Sequence, residues 1–203
     1  MVNFVSPIRG FANMRKLKMQ WPTYRYFEII NGKFSPAECN QIIALQKDTD
    51  PVFSELHDGA GNKLRDSHLF WIRRSEQNNW MFERLLAIGR EYNETYQFEL
   101  CDEISTAQLT RYTEGQQYGW HMDLGAGEAS LRKISMVVEL TDMASHIGGG
   151  IEIFYGDDIN PKVKLNTGDV LVFPSFVMHR ASRVQSGVRW SLVLWLNGRH
   201  PFR

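Results

Sequence analysis

The run QQYGWHMDLGAG, residues 116–127, sets His121 and Asp123 two positions apart. Side chains two apart on a strand point to the same side, so at a strand end an imidazole nitrogen and a carboxylate oxygen can reach one cation. A His-x-Asp pair alone also fits a solvated turn carboxylate beside a capped histidine. A third donor would have to come from elsewhere, and His179 in VFPSFVMHRASRV, just after an apolar strand, is the candidate. Two imidazoles and one carboxylate on one face of a metal, with the opposite positions open, suit non-haem Fe(II). The remaining histidines, His57, His68, His146 and His200, stand in polar or charged surroundings or at the chain end and read as surface residues.

Ten residues after His179, Arg189 opens RWSLVLWLNG. Period-two alternation puts Arg189, Ser191, Val193 and Trp195 on one face and Trp190, Leu192, Leu194 and Leu196 on the other. The second face is apolar throughout and belongs to a core. The first carries a guanidinium and a hydroxyl, which suit a carboxylate held by charge-assisted, bidentate hydrogen bonds. Upstream, AQLTRYT alternates as well, with Gln108, Thr110 and Tyr112 on one side; a phenol there can donate to an anionic ligand or be a core tyrosine with a satisfied hydroxyl.

The elements that must position these groups are also readable. In FSPAECNQIIALQKD, Ser35 is an N-cap and Pro36 the first helical residue, which predicts a helix over about 36–47. A longer helix follows over about 78–96, where Trp80, Phe82, Leu85, Leu86, Gly89, Tyr92 and Tyr96 form an apolar stripe. DSHLFWIRR, between them, is strand-like. From residue 101 onward short β-type runs alternate with Gly, Asp, Asn and Pro, the pattern of an antiparallel sandwich or barrel. The expected architecture is mainly β with N-terminal helices: one domain over 1–203, with 1–100 as helical support and substrate entrance and 101–200 as a jelly-roll core. An open α+β sheet fits the pattern too.

Composition narrows the function classes. At 203 residues and 43% hydrophobic content the chain can bury one substantial core. Its 23 basic and 23 acidic residues balance, so no overall field draws it to nucleic acid or an anionic membrane. No apolar run has the length of a signal peptide or a membrane span, so a soluble, cytoplasmic protein is expected. Cys39 and Cys101 lie far apart with no CxxC and read as thiols.

RYTEGQQYGWHMD, GGGIEIF, GDVLVFPSFVMHR and SGVRWSLVLW, taken in that order over about 105–197, resemble the prolyl-4-hydroxylase-like branch of the Fe(II) and 2-oxoglutarate-dependent dioxygenases, close to the bacterial PKHD-type hydroxylases. The resemblance implies a double-stranded β-helix, the cupin-like jelly roll. It implies that His121, Asp123 and His179 are the iron ligands and that Arg189 binds the distal carboxylate of 2-oxoglutarate. Tyr112 matches a tyrosine that helps hold that co-substrate, Tyr118 another pocket tyrosine, and Trp195 an aromatic bordering the iron; Ser191 shares the Arg189 face. Implied with them are Fe(II), 2-oxoglutarate, O2 and ascorbate, and release of succinate and CO2. Glu139 departs from the pattern, standing where many relatives carry a hydroxylated or aromatic residue. Arg183 is an extra cation near His179, and the loops 124–133 and 142–150 are candidate substrate lids.

The substrate expected is a prolyl or other amino-acid residue in a peptide or protein, or a free amino acid or other small molecule. Two alternatives share the triad: a nucleobase-modifying dioxygenase, disfavoured by the zero net charge, and a non-enzymatic cupin-like sensor, which has no use for a carboxylate clamp. Oligomeric state is not legible.

Overall fold

The computed structural model describes residues 26–57, 59–101, 103–154 and 162–202. The first twenty residues, read above for a leader, lie outside this range. In chain order the elements are β1 (Glu28–Ile30), α1 (Pro36–Ala44), β2 (Val52–His57), β3 (Lys63–Arg73), α2 (Asn79–Tyr96), β4 (Thr106–Tyr112), β5 (Gln117–His121), β6 (Arg132–Glu139), β7 (His146–Gly148), β8 (Ile151–Ile153), β9 (Lys162–Val163), β10 (Val170–Pro174), β11 (His179–Ala181), β12 (Val184–Gly187) and β13 (Arg189–Asn197).

Eleven strands make one curled antiparallel sheet in the order β1-β10-β6-β13-β4-β3-β5-β11-β8-β9, with β2 added on β3; β7 and β12 form a separate pair. The mainly β body expected from the strand spacing is therefore present, with two α-helices among the described residues. The division at residue 100 does not follow the sheet. β3, from the first half of the chain, is a central strand bridging β4 and β5, and β1 pairs with β10.

Both helices start and stop for local reasons. Ser35 caps α1 in a complete capping box: its hydroxyl accepts from the Glu38 N–H, and the Glu38 carboxylate accepts from the Ser35 N–H. A short 3-10 turn, Leu45–Asp48, continues α1. Before α2, Asn78 ties down the turn instead of capping the helix: Ser75 N–H donates to its side-chain oxygen, and its amide donates to the Arg73 carbonyl. The helix ends where Gln97 turns left-handed at φ 54°.

Helix α2 packs on the outer face of the sheet. Met81, Phe82, Leu85 and Leu86 join Leu109, Met136, Val138, Trp190, Leu192, Leu194 and Leu196 in one buried cluster. Gly89 makes the approach possible, since a Cβ there would sit 2.3 Å from Leu196 Cδ1. Each fully buried Leu in this layer contributes about 1.5–3 kcal/mol, and truncating Leu192 or Leu194 to Ala would cost about 2–5 kcal/mol. A second cluster, including Val137, Ile151, Ile153, Leu171 and Phe173, fills the inside of the curl. With the apolar face of β13 committed to the outer layer, its Arg189 face must look inward, into the remaining cavity.

Candidate metal centre and its pocket

His121 ends β5 and His179 begins β11, and the two are direct partners across that ladder, with ring centroids 4.2 Å apart. Each ring is oriented by its own chain: His121 Nδ1 lies 2.8 Å from the Gly119 carbonyl and His179 Nδ1 2.9 Å from the Val177 carbonyl. A carbonyl can only accept, so both Nδ1 atoms carry a proton, and Nε2 is in each ring the nitrogen turned toward the site that can ligate. Asp123 stands past the end of β5, in a bend held by its N–H to the Ser175 carbonyl at 3.0 Å. The shared side that strand alternation predicts for positions 121 and 123 is thus supplied by this bend.

The Asp123 oxygens lie 3.5 Å from His121 Nε2 and 3.8 Å from His179 Nε2, and the three ligand atoms all fall within 4.8 Å of one another. Asp123 and His179 are buried. Burial pushes the His179 imidazole down to about 4, against the pull of the Asp123 carboxylate, so it is neutral at physiological pH. For Asp123 burial works upward, but His179, His121 and Ser135 outweigh it and hold the carboxyl below the ordinary range. Asp123 Oδ2 is buried with no hydrogen-bond partner among the described residues. A buried, ionised, unpartnered oxygen facing the neutral His179 imidazole is costly unless a cation sits there. The donor set fits Fe(II). Among the described residues no other group of three His, Cys, Asp or Glu side chains could hold a metal.

The triad opens into a cavity of about 220 Å³, and Arg189, Ser191, Tyr112, Tyr118 and Trp195 all line it. Tyr118 lies flat on the His121 ring, centroids 3.4 Å apart and 13° between planes. Burial raises the phenol pKa of Tyr112 and of Tyr118, with nearby Arg65 opposing it in each case. Both phenols stay protonated and can donate. Trp195 lies at the other end of β13 from Arg189, its ring covered by the Arg132 guanidinium at 3.7 Å and facing Trp71 at 6.3 Å.

Glu139, the departure from the family pattern, is the partner of Arg189. Arg189 Nε donates to Glu139 Oε2 at 2.9 Å and Nη2 lies 2.7 Å from the same oxygen, with Arg189 1% and Glu139 4% exposed. The Nη2 contact is ionic, not a directed hydrogen bond, which leaves that nitrogen a free donor direction. Arg183 is exposed and does not line the cavity. Arg180 does; it pairs with Glu152 and covers Trp120 at 4.7 Å. The candidate lids hold a 3-10 turn, Gly127–Leu131, and a second one followed by β7.

Sequence reasoning missed Arg65, Arg132, Arg180 and Trp71, which also face the cavity, as does Gln108 on the Tyr112 face of β4. For Arg65 a signal was available. Alternation read across all of KLRDSHLFWIR places Arg65, Ser67, Leu69 and Trp71 on one side, and Arg65, Ser67 and Leu69 are buried.

Residues 107–197 match the 2OG-Fe(II) oxygenase superfamily. The chain is 30% identical over 99 residues to a PKHD-type hydroxylase of Synechococcus sp. (strain CC9605), covering 49% of this chain and 45% of that protein. It is 33% identical over 129 residues to a PKHD-type hydroxylase of Synechococcus elongatus, covering 62% and 52%. The chain thus spans about half the length of these relatives. Its fold resembles that of a Pseudomonas putida prolyl-4-hydroxylase, with TM-score 0.66 and 18% identity over 86% of this chain and 93% of that one. It likewise resembles the viral collagen prolyl hydroxylase of Paramecium Bursaria Chlorella virus-1 in its 2OG complex, with TM-score 0.64 and 22% identity over 86% and 97%. The curled sheet is the jelly roll of these enzymes. Through residues 107–197 the chain is similar to the 2OG-Fe(II) oxygenase superfamily, whose cofactor set is Fe(II), 2-oxoglutarate and O2, and the His121, Asp123 and His179 donor set fits that metal.

Proposed function

We propose that the protein is an Fe(II)- and 2-oxoglutarate-dependent hydroxylase acting on a prolyl or other amino-acid residue of a peptide or protein, or on a free amino acid. The observation that carries this reading is the convergence of the His121 and His179 Nε2 atoms on the two oxygens of the Asp123 carboxylate, one of them unpartnered, at the wall of a cavity that also contains buried arginine and tyrosine. In this reading His121, Asp123 and His179 hold the iron. Arg189, Ser191 and Tyr112 receive the co-substrate, Tyr118 fixes the His121 ring, and Trp195 with Trp71 borders the approach of the substrate. The bound metal supplies the redox chemistry that couples oxidative decarboxylation of 2-oxoglutarate to succinate and CO2 with hydroxylation of a C–H bond. The chain contributes orientation, proton-bearing phenols and exclusion of water by its aromatic rim.

Support for a peptide or amino-acid substrate comes from the PKHD-type relatives and from the prolyl hydroxylases that share the fold. The test is an anaerobic titration of the Fe(II)-loaded protein with 2-oxoglutarate, followed by admission of air in the presence of prolyl peptides and free amino acids. A visible charge-transfer band and then succinate are expected, with one substrate class raising succinate and gaining oxygen. Absence of both band and succinate would refute the reading.

A further inference from the structure

Two buried guanidinium groups flank Tyr112, and only one is neutralised. Arg189 stands in register with Tyr112 across β13 and β4, its Cζ 5.8 Å from that ring, and its charge is balanced by Glu139. Arg65 approaches Tyr112 from β3, close enough to pull the phenol pKa against burial. It is 7% exposed, lies over the Tyr118 ring at 4.4 Å and lines the same cavity. Its Nε donates to Ser67 Oγ at 3.0 Å, but Nη2 is buried with no hydrogen-bond partner, and no ion pair is formed by Arg65 among the described residues. The nearest acid in sequence, Asp66, is taken by Lys63 and Gln116.

A carboxylate brought up to Arg189 also meets Glu139, whose charge offsets part of the guanidinium's attraction. The Arg189–Glu139 pair as a whole carries no net charge, so its attraction for a carboxylate is that of a dipole and weaker than that of a free guanidinium. Arg189 can still offer the hydrogen-bond direction at Nη2, but not net charge. Arg65 has both: a charge with no ion-pair partner among the described residues and an unused donor at a buried nitrogen, which is costly unless an anion meets it.

Resting on the function proposed above, we infer that Arg65 supplies the net positive charge that holds the distal carboxylate of 2-oxoglutarate, with Tyr112 and Arg189 as neutral hydrogen-bond donors beside it. Arg65 is then the residue that makes the site choose a dicarboxylate over a 2-oxo monocarboxylate.

The test compares binding of 2-oxoglutarate with that of 2-oxopentanoate, which has a methyl group in place of the distal carboxylate, by anaerobic titration of the Fe(II) charge-transfer absorbance. Arg65→Gln should weaken 2-oxoglutarate by about 10- to 100-fold, the range for a lost charge-assisted hydrogen bond, and leave 2-oxopentanoate unchanged. Arg65→Lys should recover part of the loss. Glu139→Gln, which unmasks Arg189, should tighten 2-oxoglutarate several-fold and not 2-oxopentanoate. Wild-type affinity in Arg65→Gln, or equal weakening of both acids, would overturn the assignment of Arg65 alone. Lack of any band in the wild-type protein would remove the function it rests on as well. If Arg65→Gln does not fold, the Lys and Glu139→Gln arms decide: no selectivity change in either overturns the inference.

Discussion

Replacing Arg189 with Met would strand Glu139 as an unpaired carboxylate. Their side chains are 1% and 5% exposed, so neither can turn to water. Breaking a buried pair by removing one partner costs about 3–5 kcal/mol, whereas replacing both partners with apolar groups of similar size is often neutral or stabilising. Domains of this kind are stable by about 5–15 kcal/mol, and each kcal/mol moves Tm by about 2–4 °C at this chain length. Arg189→Met should therefore lower Tm by roughly 6–20 °C, and Arg189→Met/Glu139→Leu should recover most of that loss. The assay is calorimetric unfolding of wild type, both singles and the double without metal or co-substrate, so that ligand linkage adds nothing. A cost below about 1 kcal/mol for the single variant, or a double as unstable as the two singles added together, would refute the buried-pair reasoning. For the same reason the effect of Arg189→Ala on the site has to be measured well below its own Tm. There it should bind iron normally and require more 2-oxoglutarate.

At the metal centre, Asp123→Ala should abolish stoichiometric Fe(II) or Mn(II) binding in equilibrium dialysis while leaving the far-UV spectrum unchanged, because a buried unpaired oxygen is removed along with the ligand. Gly149→Ala should loosen the Arg189 end of the pocket: Gly149 sits at φ +75°, and a Cβ there would lie 2.9 Å from Val184 Cγ2 and 3.0 Å from Arg189 Cδ. A loss of about 1–2 kcal/mol with weaker 2-oxoglutarate binding is expected, read by denaturant titration and by the charge-transfer band. Glu38 is held down to about 2, from an ordinary 4.5, chiefly by Arg84 and by the Ser35 N–H. A depressed carboxylate stabilises fully above its unfolded pKa and loses that contribution as pH falls toward the folded one. Glu38→Gln should thus cost about 1 kcal/mol at pH 7, with the gap to wild type closing between pH 4.5 and 2 in urea melts.

The parts of this site that were legible in the sequence are those set by local periodicity. Alternation on β13 separated the Arg189 face from the Leu192 face, and the Ser35–Pro36 start of α1 followed from capping chemistry within four residues. What alternation cannot show is which inward-facing residues of different strands meet. Glu139 stood out as a mismatch, yet only the pairing of β6 with β13, which sets Ser191 opposite Glu139, turns it into the counter-charge of an arginine fifty residues away. His121 and His179 likewise become neighbours through the ladder of β5 with β11, a pairing no local pattern encodes. Arg65 was hidden for a different reason. Lys63, Arg65 and Asp66 make the start of β3 look like a solvated strand, because a buried guanidinium is rare unless something anionic compensates it. Of the four arginines that line the cavity, Arg189 is balanced by Glu139 and Arg180 by Glu152, and the unpaired charge of Arg65 beside them is a property of the folded sheet that no single strand reveals.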